Sequence, residues 1–140
     1  MNMYFPIGLI VVSNIFYHVC AKSSPAKMDP FAMLVVAYIL CAIISLVMYF
    51  VTNPGSNLIN EISYSNWTVF VMGLAIVGLE AGNIFMYRVG WNINTGYLLH
   101  SAIFAVALLI VGYLIYKEAI TLNKVLGVFA CMVGIYFINK

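Results

Sequence analysis

The sequence predicts an all-α polytopic membrane protein of five transmembrane helices, and three observations carry that prediction. First, the 140 residues are 65% hydrophobic and only 7% charged, whereas a soluble domain carries about 25% charged residues. Six Lys and Arg with four Asp and Glu cannot cover a water-soluble globule of this size, which excludes soluble enzymes and disordered regulators. Second, the mean hydropathy is +1.06. Third, the apolar residues run continuously, without the alternation of a membrane β-barrel, and the runs are long enough to cross ~30 Å of hydrocarbon at ~1.5 Å per helical residue. A helix satisfies its own backbone polar groups in lipid, which an open sheet cannot do.

The first span covers Tyr4–Ala21. It lacks a basic leading segment and a small-residue processing site, so it reads as a span and not as a cleavable leader. The second, Phe31–Val51, follows Asp29-Pro30, an N-cap and a first-turn proline. Asn53-Pro54-Gly55 breaks the chain after it, and the polar stretch through Asn57, Asn60 and Glu61 is expected to be the longest loop. Asn66 is placed to cap the third span, Trp67–Val89; Asn94 or Thr95 the fourth, Gly96–Tyr116; and Thr121 the fifth, Leu122–Ile138. The connections are short, so residues 1–140 are expected to form one membrane domain.

Tyr4, Tyr49, Tyr64, Trp67, Trp91, Tyr97, Tyr116 and Tyr136 fall near span ends, as an interfacial aromatic belt requires. Cys20, Cys41 and Cys131 each sit inside an apolar run, without metal-ligand spacing, and read as small apolar fillers. Neither a metal nor a cofactor is expected.

Five crossings put the termini on opposite sides. The C-terminal side receives Lys22, Lys27, Arg88 and Lys140, and the N-terminal side Lys117 and Lys124. That bias favours a cytoplasmic C-terminus in a cell-membrane protein, yet it is small enough to permit insertion in both orientations. The net charge of +2 is scattered along the chain, so no nucleic-acid partner is expected.

Glu80 is the acidic residue that demands an explanation. It lies thirteen positions after Trp67 and nine before Val89, and an ionised carboxylate at that depth costs at least ~2.5 kcal/mol unless it is paired, hydrated or protonated. One reading is a proton- or cation-responsive group, which attracts a cation when ionised and releases it when protonated. The other is a structural pair that orients helices. Arg88, two turns along and ~12 Å away on the axis, either snorkels to the interface or turns inward toward an anionic substrate group.

Asn14 and His18 on the first span, Glu80 and Asn83 on the third and His100 on the fourth all fall in the C-terminal-side leaflet. They predict either a polar vestibule opening to that side or hydrogen bonds between neighbouring helices. Gly78 and Gly82 form a G-x-x-x-G step, and Gly127 with Cys131 and Ala130 with Gly134 form similar small-residue steps. Such steps admit close helix approach, within a protomer or across a dimer. No nucleophile–base pair, phosphate loop or paired carboxylates mark an enzyme.

Asn94-Thr95-Gly96 opens a helix that runs to Lys117-Glu118, and a polar link through Thr121 and Asn123 leads into a last helix carrying Gly127 and Gly134. This arrangement resembles the drug/metabolite transporter superfamily, in which a helix ends in a Gly-Glu-like pair before a final helix with a G-x6-G rhythm. Lys22 at the end of the first helix is a further point of likeness. In length and layout the whole chain resembles one EamA-like five-helix unit.

Residues 94–138 are also similar to small multidrug resistance proteins in the Thr-Gly start of the penultimate helix. There are departures. Asn14 stands where those proteins carry an essential glutamate, Leu99 and Ala102 replace their aromatic residues, and this chain has five helices instead of four. The proline usual in the fourth helix of EamA-like units is missing.

The resemblance implies a secondary transporter, usually an exporter, of a small metabolite or a cationic or hydrophobic compound. Such transporters join two five-helix repeats of inverted topology, and this sequence holds one half-transporter repeat. Because substrate sites lie between repeats, the resemblance implies a homodimer, antiparallel or parallel, or a pairing with a second small membrane protein. Glu80 would stand in or beside the pathway, and the fifth helix would form the dimer face. An accessory or assembly subunit, or a subunit of a lipid-linked substrate flippase, are the alternative functions.

Overall fold

The computed structural model describes residues 4–138, and among the described residues every regular element is helical. The elements are α1 (Phe5–Lys22), α2 (Pro30–Thr52), α3 (Leu58–Ser63), α4 (Trp67–Arg88), α5 (Ile93–Tyr116) and α6 (Leu122–Ile138). Four of them, α1, α2, α4 and α5, are long and apolar enough to cross a bilayer. Helix α6 is apolar but has 17 residues, ~25 Å of rise, a mismatch that local thinning of the bilayer accommodates. Lys140, counted above for orientation, lies outside the described residues.

Local chemistry sets several boundaries. Asp29 caps α2: its Oδ1 accepts from the backbone N–H of Phe31 at 2.9 Å and of Ala32 at 3.1 Å, and Pro30 fills the first helical position, where no N–H is needed. Asn66 accepts from the N–H of Thr68 at 3.0 Å at the start of α4. Two expectations are corrected. The stretch expected as the longest loop contains α3, because Asn57 accepts from the N–H of Ile59 at 3.0 Å and starts a short helix. Helix α5 begins at Ile93, ahead of Gly96, with extended Asn92 at the cap position and no side-chain cap bond. Asn94 and Thr95 therefore lie inside the first turn, where Asn94 Oδ1 accepts from the N–H of Thr95.

The chain divides into two compact units, one ending at Arg88 and one beginning at Val89. In the first, α4 packs against both α1 and α2. Its buried side chains are His18 and Ala21 from α1, Pro30 and Leu34 from α2, and Ala81, Asn83, Ile84 and Tyr87 from α4. All belong to the ends of these helices nearest the α1–α2 connection, with Leu34, Ala81 and Ile84 at the centre. Elsewhere the helices turn apolar side chains outward, as at Phe70 and Leu74, 71% and 76% exposed, the surface that a bilayer solvates.

In the second unit α5 packs on α6. Helix α5 ends at Lys117, whose backbone is left-handed (φ 53°), and the N–H of Glu118 returns to Gly112 O at 3.0 Å. Glu118 pairs with Lys124 at 3.7 Å. Both side chains are exposed, so the pair adds little stability.

Candidate functional site

Where α1, α2 and α4 converge, the first unit carries a partly open cavity of 250 Å³ lined mainly by Tyr17, Ala21, Met33, Ala37, Glu80 and Ile84. Each helix contributes a side chain because their packed ends coincide there. Glu80 supplies the charge. It is half-buried, about 12 Å along α4 from Arg88, and among the described residues it has no ion pair.

Two phenols belong to this region. The Tyr17 hydroxyl is buried beside Glu80 and the Asn83 amide, without closing a well-formed hydrogen bond to either. Tyr38, on α2, packs against the Leu34–Ala81–Ile84 core. Its hydroxyl is likewise buried and unbonded. The Glu80 carboxylate and the Tyr17 phenol, from α4 and α1, thus line one small, mainly apolar cavity, while Tyr38 packs on the adjoining core.

The other polar groups expected in this leaflet are placed as follows. His18 is buried, its Nδ1 2.8 Å from the Tyr87 hydroxyl, with the Tyr17 ring edge-on at 5.0 Å. Lys22 extends its ammonium over the Tyr87 ring at 5.7 Å. Asn83 is buried and donates from Nδ2 to Leu79 O at 3.0 Å. Asn14 is half-buried on α1.

Arg88 turns outward. Its Nη2 donates to the carbonyls of Pro25, at 3.2 Å, and Met28, tying α4 to the α1–α2 connection. His100 belongs to the second unit, exposed on α5, with the Tyr97 ring 5.6 Å away.

The glycine steps are open. A Cβ built at Gly78, Gly82, Gly127 or Gly134 meets nothing within 4 Å, so no close helix approach uses them among the described residues. Along the α5–α6 seam run two shallow cavities, an apolar one of 390 Å³ between Leu99 and Ile135 and one of 500 Å³ that reaches Glu118, Lys124 and Gly127. Among the described residues no cluster of His, Cys, Asp and Glu has the arrangement of a metal site.

Sequence reasoning missed the three tyrosines. The interfacial belt accounts for the tyrosines near span ends and leaves Tyr17, Tyr38, Tyr87 and Tyr113 within spans. Three of those four lie at the packed ends of the first unit, so the hydroxyl without a belt position was the available signal.

The family model of EamA-like transporters matches residues 5–140 of this chain. No curated protein and no solved structure matches it.

Proposed function

The chain belongs to the EamA-like transporter family, and on that premise we propose that this multi-pass membrane transporter of the drug/metabolite type exports a small cationic or hydrophobic solute, with Glu80 as the group that exchanges a proton for the substrate. The observation that carries the proposal is the Glu80 carboxylate, set against a cavity within the span and without an ion pair among the described residues. A charge held there without a partner is retained at a cost, and alternation between a proton and a cationic solute gives it a use. Asn83 and Asn14 are proposed to line the route on α4 and α1, with His18 as a neighbouring support. His100 is proposed as a polar group of the second unit, and Arg88 as an anchor of the α1–α2 connection.

Substrate sites of such transporters lie between repeats, and we propose that this five-helix repeat works in a dimer of half-size repeats, homodimeric or formed with another small membrane protein. The open faces at Gly127 and Gly134 support α6 as the contact. Residence in the cell membrane with a cytoplasmic C-terminus follows from the basic-residue bias, and an antiparallel pair from its small size.

Reconstitution tests the reading. Proteoliposomes under an imposed proton gradient should move a cationic solute, and Glu80→Gln should abolish the gradient-driven component while the helices remain folded by circular dichroism. Absence of flux across cationic, neutral and anionic solutes would instead favour an accessory subunit.

A further inference from the structure

We infer that the α5–α6 seam of the second unit holds one phospholipid with a primary-ammonium head, of the phosphatidylethanolamine class. Its head sits on Glu118, Asn123 and Lys124, and one acyl chain lies in the groove that continues from them. This lipid is a fixed companion of the protein, independent of the solute proposed above.

The seam has the two-part chemistry of such a lipid. Its larger cavity, of 500 Å³, has Glu118, Asn123 and Lys124 at one end and apolar residues beyond, among them Ala105 and Leu109 of α5 and Gly127 of α6. The polar end belongs to the connection between Tyr116 and Leu122 and to the first turn of α6, the level at which two spanning helices meet the headgroups. From Asn123 the groove reaches Cys131, ~12 Å along the helix, against ~15 Å for the hydrocarbon of one leaflet. An acyl chain of one leaflet fills it without crossing the midplane. Gly127 leaves room for that chain, since a Cβ built there meets nothing within 4 Å.

Charge selects the head. Lys124 Nζ and Glu118 Oε2 are 3.7 Å apart with both side chains exposed, and such a pair contributes little to folding. Lys124 Nζ also donates to Ala119 O at 3.3 Å, which holds the ammonium at the mouth of the groove. The phosphate of the lipid accepts from Lys124 and from the Asn123 amide. Its own ammonium, a short two-carbon link away, donates to the Glu118 carboxylate, so both halves of the head gain charge-assisted bonds. A choline head has no N–H for Glu118, and a glycerol head has no positive charge for it. Gly134 lies outside the lining, and that part of α6 stays available for the dimer contact.

The test is native mass spectrometry of the whole chain, released from detergent micelles that contain equal amounts of dioleoyl phosphatidylethanolamine, phosphatidylcholine and phosphatidylglycerol. One phosphatidylethanolamine per chain is expected, retained about threefold or more above either comparator. Glu118→Gln should remove the preference over phosphatidylcholine, and Lys124→Gln should lower retention of all three lipids. Ala105→Leu, which fills the groove from α5, should also lower all three. Equal retention by the wild type, stronger retention of phosphatidylglycerol, a preference unchanged in both charge variants, or retention unchanged in Ala105→Leu would overturn the inference. So would a protein that retains none of the lipids, and a lipid-free dimer would place a second copy in the groove. The wild-type comparison needs no variant to fold.

Discussion

The Tyr87 hydroxyl lies 2.8 Å from His18 Nδ1, joining α4 to α1 through two side chains that are each almost wholly buried. In an apolar surround a hydrogen bond between helices holds their register, since the alternative is an unsatisfied group in hydrocarbon. Tyr87→Phe removes the hydroxyl with little change of shape and is expected to cost about 1 kcal/mol. His18→Ala should cost more, because it also opens a void. A double-mutant cycle of unfolding in mixed micelles should show coupling between the two; additive losses would mean the bond contributes nothing.

At the start of α2, Asp29 satisfies two backbone donors. Asp29→Ala is expected to destabilise the protein by about 1 kcal/mol, whereas Asp29→Asn should retain most of the stability. Thermal unfolding of the two variants, followed by circular dichroism, makes the comparison.

Arg88 holds the α1–α2 connection by bonds to two carbonyls, and Lys27 lies between them. Arg88→Ala should loosen that segment. Trypsin should then cut after Lys27 several-fold faster, as the opening free energy falls by about 1 kcal/mol. Mass spectrometry of the fragments reads the rate at that bond.

Lys117 occupies a left-handed conformation that glycine adopts without steric penalty. Lys117→Gly is expected to stabilise the α5–α6 unit by about 0.5–1 kcal/mol, the relief of the Cβ clash exceeding the added flexibility of the unfolded chain. Hydrogen exchange near the end of α5 should slow. Faster exchange would show that the lysine side chain contributes more than its backbone costs.

Gly134 has open space where a side chain would project. Gly134→Leu should therefore leave the helical content unchanged. If α6 forms the proposed dimer contact, the same substitution should shift the protein from dimer to monomer, since a small-residue face owes its close approach to the missing side chain. Cross-linking in native membranes, with Gly8→Leu as the control at another open glycine, distinguishes loss of the contact from a general effect.

What the sequence made legible was local. Asp29 and Asn66 could be read as caps because the capping oxygen and its N–H lie two or three residues apart, and the spans could be read because lipid admits only closed backbone hydrogen bonding. The start of α5 was harder: Asn92, Asn94 and Thr95 are all cap-forming residue types within one turn, and the helix begins after the first of them, with no side-chain bond to mark it. The short helix α3 was hidden for the same reason, in a stretch whose composition reads as loop.

The site was legible only in part. Glu80 stands out in one dimension because its charge is improbable at that depth. Tyr17 and Tyr38 carry no such mark, and their meaning depends on which faces of α1 and α2 meet α4. Arg88 could be weighed between two orientations, but the carbonyls of Pro25 and Met28 that receive it are sixty or more positions away in the chain. Partners of that kind come from tertiary packing alone.

The buried side chains of the first unit are confined to one end of its three long helices. A bundle buried at one end holds its helices together there and leaves their other ends to be covered by lipid. Beyond the packed ends the apolar faces of the helices are exposed, and in a bilayer they are left for acyl chains to cover.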